Sequence, residues 1–143
     1  TAPVEPRLVM PIRLHIDDAR RRLCPRAEGL VTYEEMKAHV HPELSSEAAT
    51  YGELIDCTGA TTNVTPEEIH QLARERRSVD ERQRRPGAVA IVATDDVFFG
   101  MLRMFDMLTE RVRPIRVFRN EQDALNWLEE VANPPDASGS NLD

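Results

Sequence analysis

The chain has 143 residues, about one domain's worth, enough to bury roughly two-thirds of its unfolded surface in one core. Hydrophobic residues make up 41% and charged residues 30%, which excludes a disordered chain. The net charge of -7 excludes general nucleic-acid binding, which needs a positive face.

No stretch approaches the ~20 apolar residues of a membrane span. The opening residues lack the basic segment and apolar run of a signal peptide, so the cytoplasm is the expected location. Cys24 and Cys57 have no CxxC spacing and read as reduced thiols in that compartment. Lys37 is the only lysine, which removes lysine chemistry from nearly every candidate site.

In chain order, residues 1–9 carry two prolines and read as a loose lead-in. Ile12, Leu14 and Ile16 alternate with Arg13 and His15, the pattern of a half-buried strand. A turn at Asp17-Asp18 leads to an Arg-rich strand over Arg20–Ala27, where Pro25 predicts an edge position. Thr32-Tyr33-Glu34-Glu35 is a capping box, and Tyr33, Met36, Val40 and Leu44 follow at helical spacing. Pro42 kinks or restarts that helix.

Glu53–Cys57 reads as a short buried strand ended by Thr58-Gly59. Thr65-Pro66-Glu67-Glu68 starts a second helix with an N-cap, a first-turn proline and acids at the dipole's positive end. That helix runs into the charged segment Arg74–Arg85, which reads as a solvated helix end, with an anion or acidic-partner site as the alternative. Ala88–Ala93 is apolar throughout, as a central parallel strand covered on both faces must be. Asp95 or Asp96 caps a helix over Val97–Val112. Pro114–Arg119 is the last strand, and Asn120 caps a final helix through Val131. Residues 132–143 form a polar tail expected to be disordered.

The order is β-β-α-β-α-β-α-β-α, an α/β fold with a mostly parallel sheet and an antiparallel N-terminal edge hairpin. One domain over 10–131 is expected.

Ligands favour the carboxyl ends of strands in such a sheet, and those ends carry Asp56, Thr58, Asp95 and Asp96. Acids there suit Mg²⁺ or a phosphoryl group, while capping explains Asp95 or Asp96 equally well. His39 and His41, with Glu35, Glu43 and His70, invite a metal, but helix positions i and i+2 point roughly 200° apart and cannot share one ion. No metal and no cofactor is expected. Nothing nominates a nucleophile: no Ser-His-Asp spacing, GxSxG or phosphate-binding Gly loop occurs, so the chain reads as no enzyme.

The helix over Val97–Val112 is the most informative element. Phe98, Met101, Leu102, Phe105, Leu108 and Val112 already make a full core-facing stripe. Val97, Met104 and Met107 extend the apolar surface along one flank beside Gly100, and Phe99 adds to the other. Such a helix is unusually buried or presents a Met-rich face to a partner. Val97, Phe99, Met104 and Met107 are therefore candidates for an interface or an apolar ligand site.

The opening hairpin, the segment Leu54-Ile55-Asp56-Cys57-Thr58-Gly59, the strand Val89–Ala93, and the closing Val117–Leu128 stretch with its Ala-Leu-x-Trp-Leu helix together resemble the SpoIIAA-like, or STAS, family. The resemblance covers about residues 10–131 and lies closest to uncharacterised bacterial SpoIIAA-like proteins. It implies a five-stranded mixed sheet with helices mainly on one face, and a regulatory role through protein–protein contacts. In the anti-sigma-factor antagonists of this family a phosphorylated Ser in Asp-Ser-Ser-Gly switches binding. Thr65 falls at that hydroxyl position here, but the Asp, second Ser and Gly are missing and Glu67 and Glu68 stand beside it. Thr65 is thus a phosphoacceptor candidate that also reads as a plain N-cap.

The resulting expectation is a non-enzymatic regulatory interaction domain, partnered by another protein or by itself as a homodimer. The alternatives are a small apolar ligand or lipid carrier, with a cavity lined by Phe98, Phe99, Met101 or Phe105, and a metal-assisted hydrolase using Asp56, Asp95 and Asp96.

Overall fold

All five residues of Val89–Ala93 are buried, because this strand lies between strands on either side and between helices on both faces. The computed structural model describes residues 12–40, 44–83, 87–109 and 113–132. Its elements are β1 (Ile12–Asp17), β2 (Arg22–Val31), α1 (Tyr33–Val40), a 3₁₀ turn (Ala48–Thr50), β3 (Gly52–Thr62), α2 (Pro66–Gln83), β4 (Val89–Ala93), α3 (Asp96–Thr109), β5 (Ile115–Phe118) and α4 (Glu121–Ala132). The sheet order is β1-β2-β3-β4-β5, antiparallel between β1 and β2 and parallel elsewhere. The lead-in over 1–9 and the tail over 132–143 lie outside the described residues, apart from Ala132 at the end of α4.

Side-chain alternation along β4 divides the core into two layers. Val89, Ile91 and Ala93 join Cys57, Ile115, Val117 and the inward faces of α1, α2 and α3. Ala88, Ala90 and Val92 pack with Ala124 and Leu128 of α4, flanked by Leu54, Phe118 and Trp127. Three helices therefore cover one face and α4 the other.

Three local readings need correcting. Pro25 is fully buried in β2, an interior strand rather than an edge. Its missing donor is tolerated because pairing to β3 passes from Leu23↔Glu53 to Arg26↔Asp56 without Cys24 or Pro25. β3 does not end at Thr58-Gly59: the register shifts between Arg26 and Glu28, and the strand continues to Thr62 beside β2, since such an irregularity absorbs one residue without stopping the ladder. The alternation in β1 also overstates its burial, since Leu14 and Ile16 are exposed and Ile12 alone of the three packs on the core. The Pro42 kink lies outside the described residues.

Candidate functional site

At the carboxyl ends of the strands each predicted polar residue is engaged locally. The Asp56 carboxylate accepts the Thr58 backbone N–H at 3.0 Å and its hydroxyl at 2.7 Å, an Asx turn. Asp95, not Asp96, caps α3 by accepting the Phe98 N–H at 2.9 Å. Asp96 instead pairs with Arg119 at 2.9 Å. Arg119 also donates to the Thr94 carbonyl at 3.0 Å and lies over the Phe99 ring at 4.1 Å. The three carboxylates thus serve a turn, a cap and an ion pair. Among the described residues no group of three His, Cys, Asp or Glu side chains is placed to hold a metal ion. His41 and Glu43 fall outside the described residues.

Thr65 is the N-cap that its sequence predicts, and Glu68 completes a capping box with it. Its hydroxyl accepts the Glu68 N–H at 3.2 Å while Glu68 accepts the Thr65 N–H at 3.0 Å. The exposed hydroxyl already satisfies the helix start, and a phosphate there would meet the Glu67 and Glu68 carboxylates. The Thr32–Glu35 box at the start of α1 forms the same way, at 2.8 and 3.3 Å.

The α3 candidates do not share one environment. Val97 is 59% and Met107 65% exposed, more than any other large apolar side chain described. Met104 and Phe99 are partly buried against the core, and Phe99 is further covered by Arg119. Val97, Gly100, Met104 and Met107 are spaced three, four and three residues apart, so they share an arc of roughly 80° on the helix's outer side. This is the spacing of a helix–helix seam, with nothing within 4 Å of a Cβ built on Gly100. The inner side, Phe98, Leu102, Phe105 and Thr109, is buried.

Beneath α3 lies an apolar cavity of about 60 Å³, lined in part by Met36, Leu72, Phe98, Leu102 and Phe105. Phe98 and Phe105 take the places expected of a ligand pocket; Phe99 and Met101 are not in its lining. Its volume is far below the ~300 Å³ at which ligand pockets begin.

One cluster escapes the sequence reading altogether. Glu53, Arg76, Asp80 and Arg113 are each at most 4% exposed and form a ring of alternating charge. Arg76 approaches Glu53 at 3.5 Å and Asp80 at 3.1 Å; Arg113 approaches them at 3.4 and 3.6 Å. His39 closes on Glu53 at 3.6 Å. The Arg74–Arg85 segment is therefore not simply a solvated helix end: Arg76 and Asp80 turn inward together, one helical turn apart. Arg77 reaches across to the Leu108 carbonyl at 2.8 Å, satisfying an acceptor near the end of α3. The one available signal was the Arg76–Asp80 spacing of four in a helix whose apolar stripe is thin.

Burial pushes the Glu53 carboxyl up, but the hydrogen bond from His39 and the charges of Arg76, His39 and Arg113 hold it well below the usual range. A depressed folded value means stability present above the unfolded pKa of about 4.3 and lost as pH falls from there toward the folded value. Urea unfolding between pH 7 and pH 3 should show this loss. Glu53→Gln should be weaker at pH 7 and flatter in acid; an unchanged acid slope would assign the loss to other groups.

Comparison with known proteins places this geometry. The sequence model of the SpoIIAA-like family matches residues 22–129. An uncharacterised protein from the DUF3478 family of Shewanella loihica PV-4, described as having a SpoIIAA-like fold, superposes with a TM-score of 0.50. It is 22% identical, with 82% of this chain and 91% of that chain covered, a likeness of fold. No curated protein matches the chain. Among the described residues no helix is long and apolar enough to cross a membrane.

Proposed function

The chain belongs to the SpoIIAA-like family, and from that premise we propose that it is a non-enzymatic regulatory domain of the cytoplasm that works by protein–protein contact. The contact is self-association through the outer side of α3. One observation carries this reading: the two most exposed large apolar side chains described, Val97 and Met107, lie on one seam with Gly100 and Met104. Burying such side chains is worth about 1.5–3 kcal/mol each, and the small Gly100 lets a second helix approach closely. Thr65 acts as an N-cap and not as a phosphorylation switch.

The carrier reading has the apolar cavity in its favour, but that space admits no lipid chain without helices moving apart. For the hydrolase reading, no carboxylates converge on a metal position among the described residues. The test uses Val97→Glu with Met107→Glu, since Met104 also packs on the core. The double variant is expected to be a folded monomer, with unchanged circular dichroism, where the wild type is dimeric. A double variant that stays assembled overturns the seam.

A further inference from the structure

β5 is an edge strand, and among the described residues nothing pairs along its outer side. The Val89 N–H donates to the Pro114 carbonyl at 2.8 Å, and β5 runs parallel to β4 with Val89 opposite Ile115. In a parallel ladder both groups of alternate residues point the same way. Pro114, Arg116 and Phe118 thus face β4, and the N–H and C=O groups of Ile115 and Val117 point outward. Natural proteins usually cover or blunt such an edge.

Here the edge lies in a groove of about 540 Å³ between α3 and α4. On the α3 side stand Met107, 65% exposed, and Arg103, which pairs with Asp106 at 3.8 Å. On the α4 side the Arg116 guanidinium lies 5.8 Å from the Phe118 ring centroid, and the Phe118 ring packs tilted by 47° against Trp127, their centroids also 5.8 Å apart. A backbone edge that no described residue pairs thus has a methionine on one flank and an arginine–aromatic cluster on the other.

We propose that this edge binds an extended segment of a partner protein that alternates apolar and acidic residues, added as a sixth strand beside β5. Backbone groups of Ile115 and Val117 supply the pairing; successive side chains of the added strand point to opposite faces, so the apolar ones lie on the α3 side over Met107 and the acids on the α4 side beside Arg116. Charge decides against a second copy in this place. A two-fold pairing of β5 with itself, centred on its outward residues, sets Arg116 directly opposite Arg116, and like charges there are destabilising.

The inference rests on the reading of the chain as an interaction domain; it shares Met107 with the α3 seam, so a second copy and the segment compete for that side chain, while the pairing groups of Ile115 and Val117 lie outside the seam. A monomer that binds the segment keeps it and loses the seam; a dimer that ignores the segment does the reverse.

The test is fluorescence anisotropy of the full chain with a labelled hexapeptide of alternating valine and glutamate, beside its valine–lysine counterpart. The glutamate peptide should bind about tenfold tighter, a difference of 1.4 kcal/mol, and weaken with salt. The Ile115 and Val117 amides should gain protection from hydrogen exchange on binding. Arg116→Glu, at an exposed position, should reverse the preference between the peptides. Equal binding of both peptides, no binding of either, or an Arg116→Glu variant that keeps the glutamate preference overturns the proposal. So does concentration-dependent protection of Ile115 and Val117 with no peptide present, which would assign the edge to a second copy.

Discussion

Replacing Arg113 with methionine is expected to destabilise the protein by about 3–5 kcal/mol, the cost of breaking a buried ion pair from one side. Arg113 precedes β5 and is 1% exposed. Its Nε donates to the Gly87 carbonyl at 2.5 Å and an Nη to the Tyr51 carbonyl at 3.4 Å, while its charge lies between Glu53 and Asp80. Methionine fills much of the same volume, so the loss is not one of packing. Two buried carboxylates would then share the Arg76 guanidinium, and two backbone carbonyls would lose a donor. Arg113→Lys should recover part of the loss, because it keeps the charge but not the planar fork that reaches four acceptors. Urea midpoints of the three proteins measure this. A methionine variant within about 1 kcal/mol of wild type would mean that the ring is effectively solvated.

Gly87→Ala is expected to cost about 3 kcal/mol, the upper end for overpacking. A Cβ at Gly87 would land on the Tyr51 carbonyl oxygen and stand 2.6 Å from the Gly52 nitrogen. Both are backbone atoms at the entry to β3, so neither can rotate aside as a side chain does. Relief would shift the strand start, where the Glu53 N–H meets the Ala88 carbonyl at 2.9 Å, and with it the Glu53 carboxylate of the ion ring. The thermal midpoint reads this out. A midpoint unchanged from wild type would show that the backbone at Tyr51 and Gly52 gives way freely.

How far the fold could be read from sequence depended on whether the signal was local. The Thr32 capping box and the Thr65 N-cap form at the predicted residues because their partners lie three positions apart. β4 read as central because covering both faces demands apolar residues at every position, and α3 read as doubly apolar for a related reason. What failed needed a second strand or helix to be known. Pro25 reads as an edge residue unless one sees the gap in the ladder opposite it, and the end of β3 was hidden by a register shift. The ion ring draws Glu53, the Arg76–Asp80 pair and Arg113 from three places along the chain, and each alone looks like a surface charge. The candidate interface was legible as a Met-rich flank. Its reduction to a seam with Val97 and Met107 outermost, and the position of β5 at the sheet edge beside it, required the packed arrangement.

The central claim, that α3 is a surface for self-association, is tested most directly by the solution mass of the wild-type chain over a concentration series in light scattering. Self-association through α3 gives twice the 16.2 kDa chain mass, falling toward the single-chain value on dilution. A mass of one chain at every concentration would contradict it.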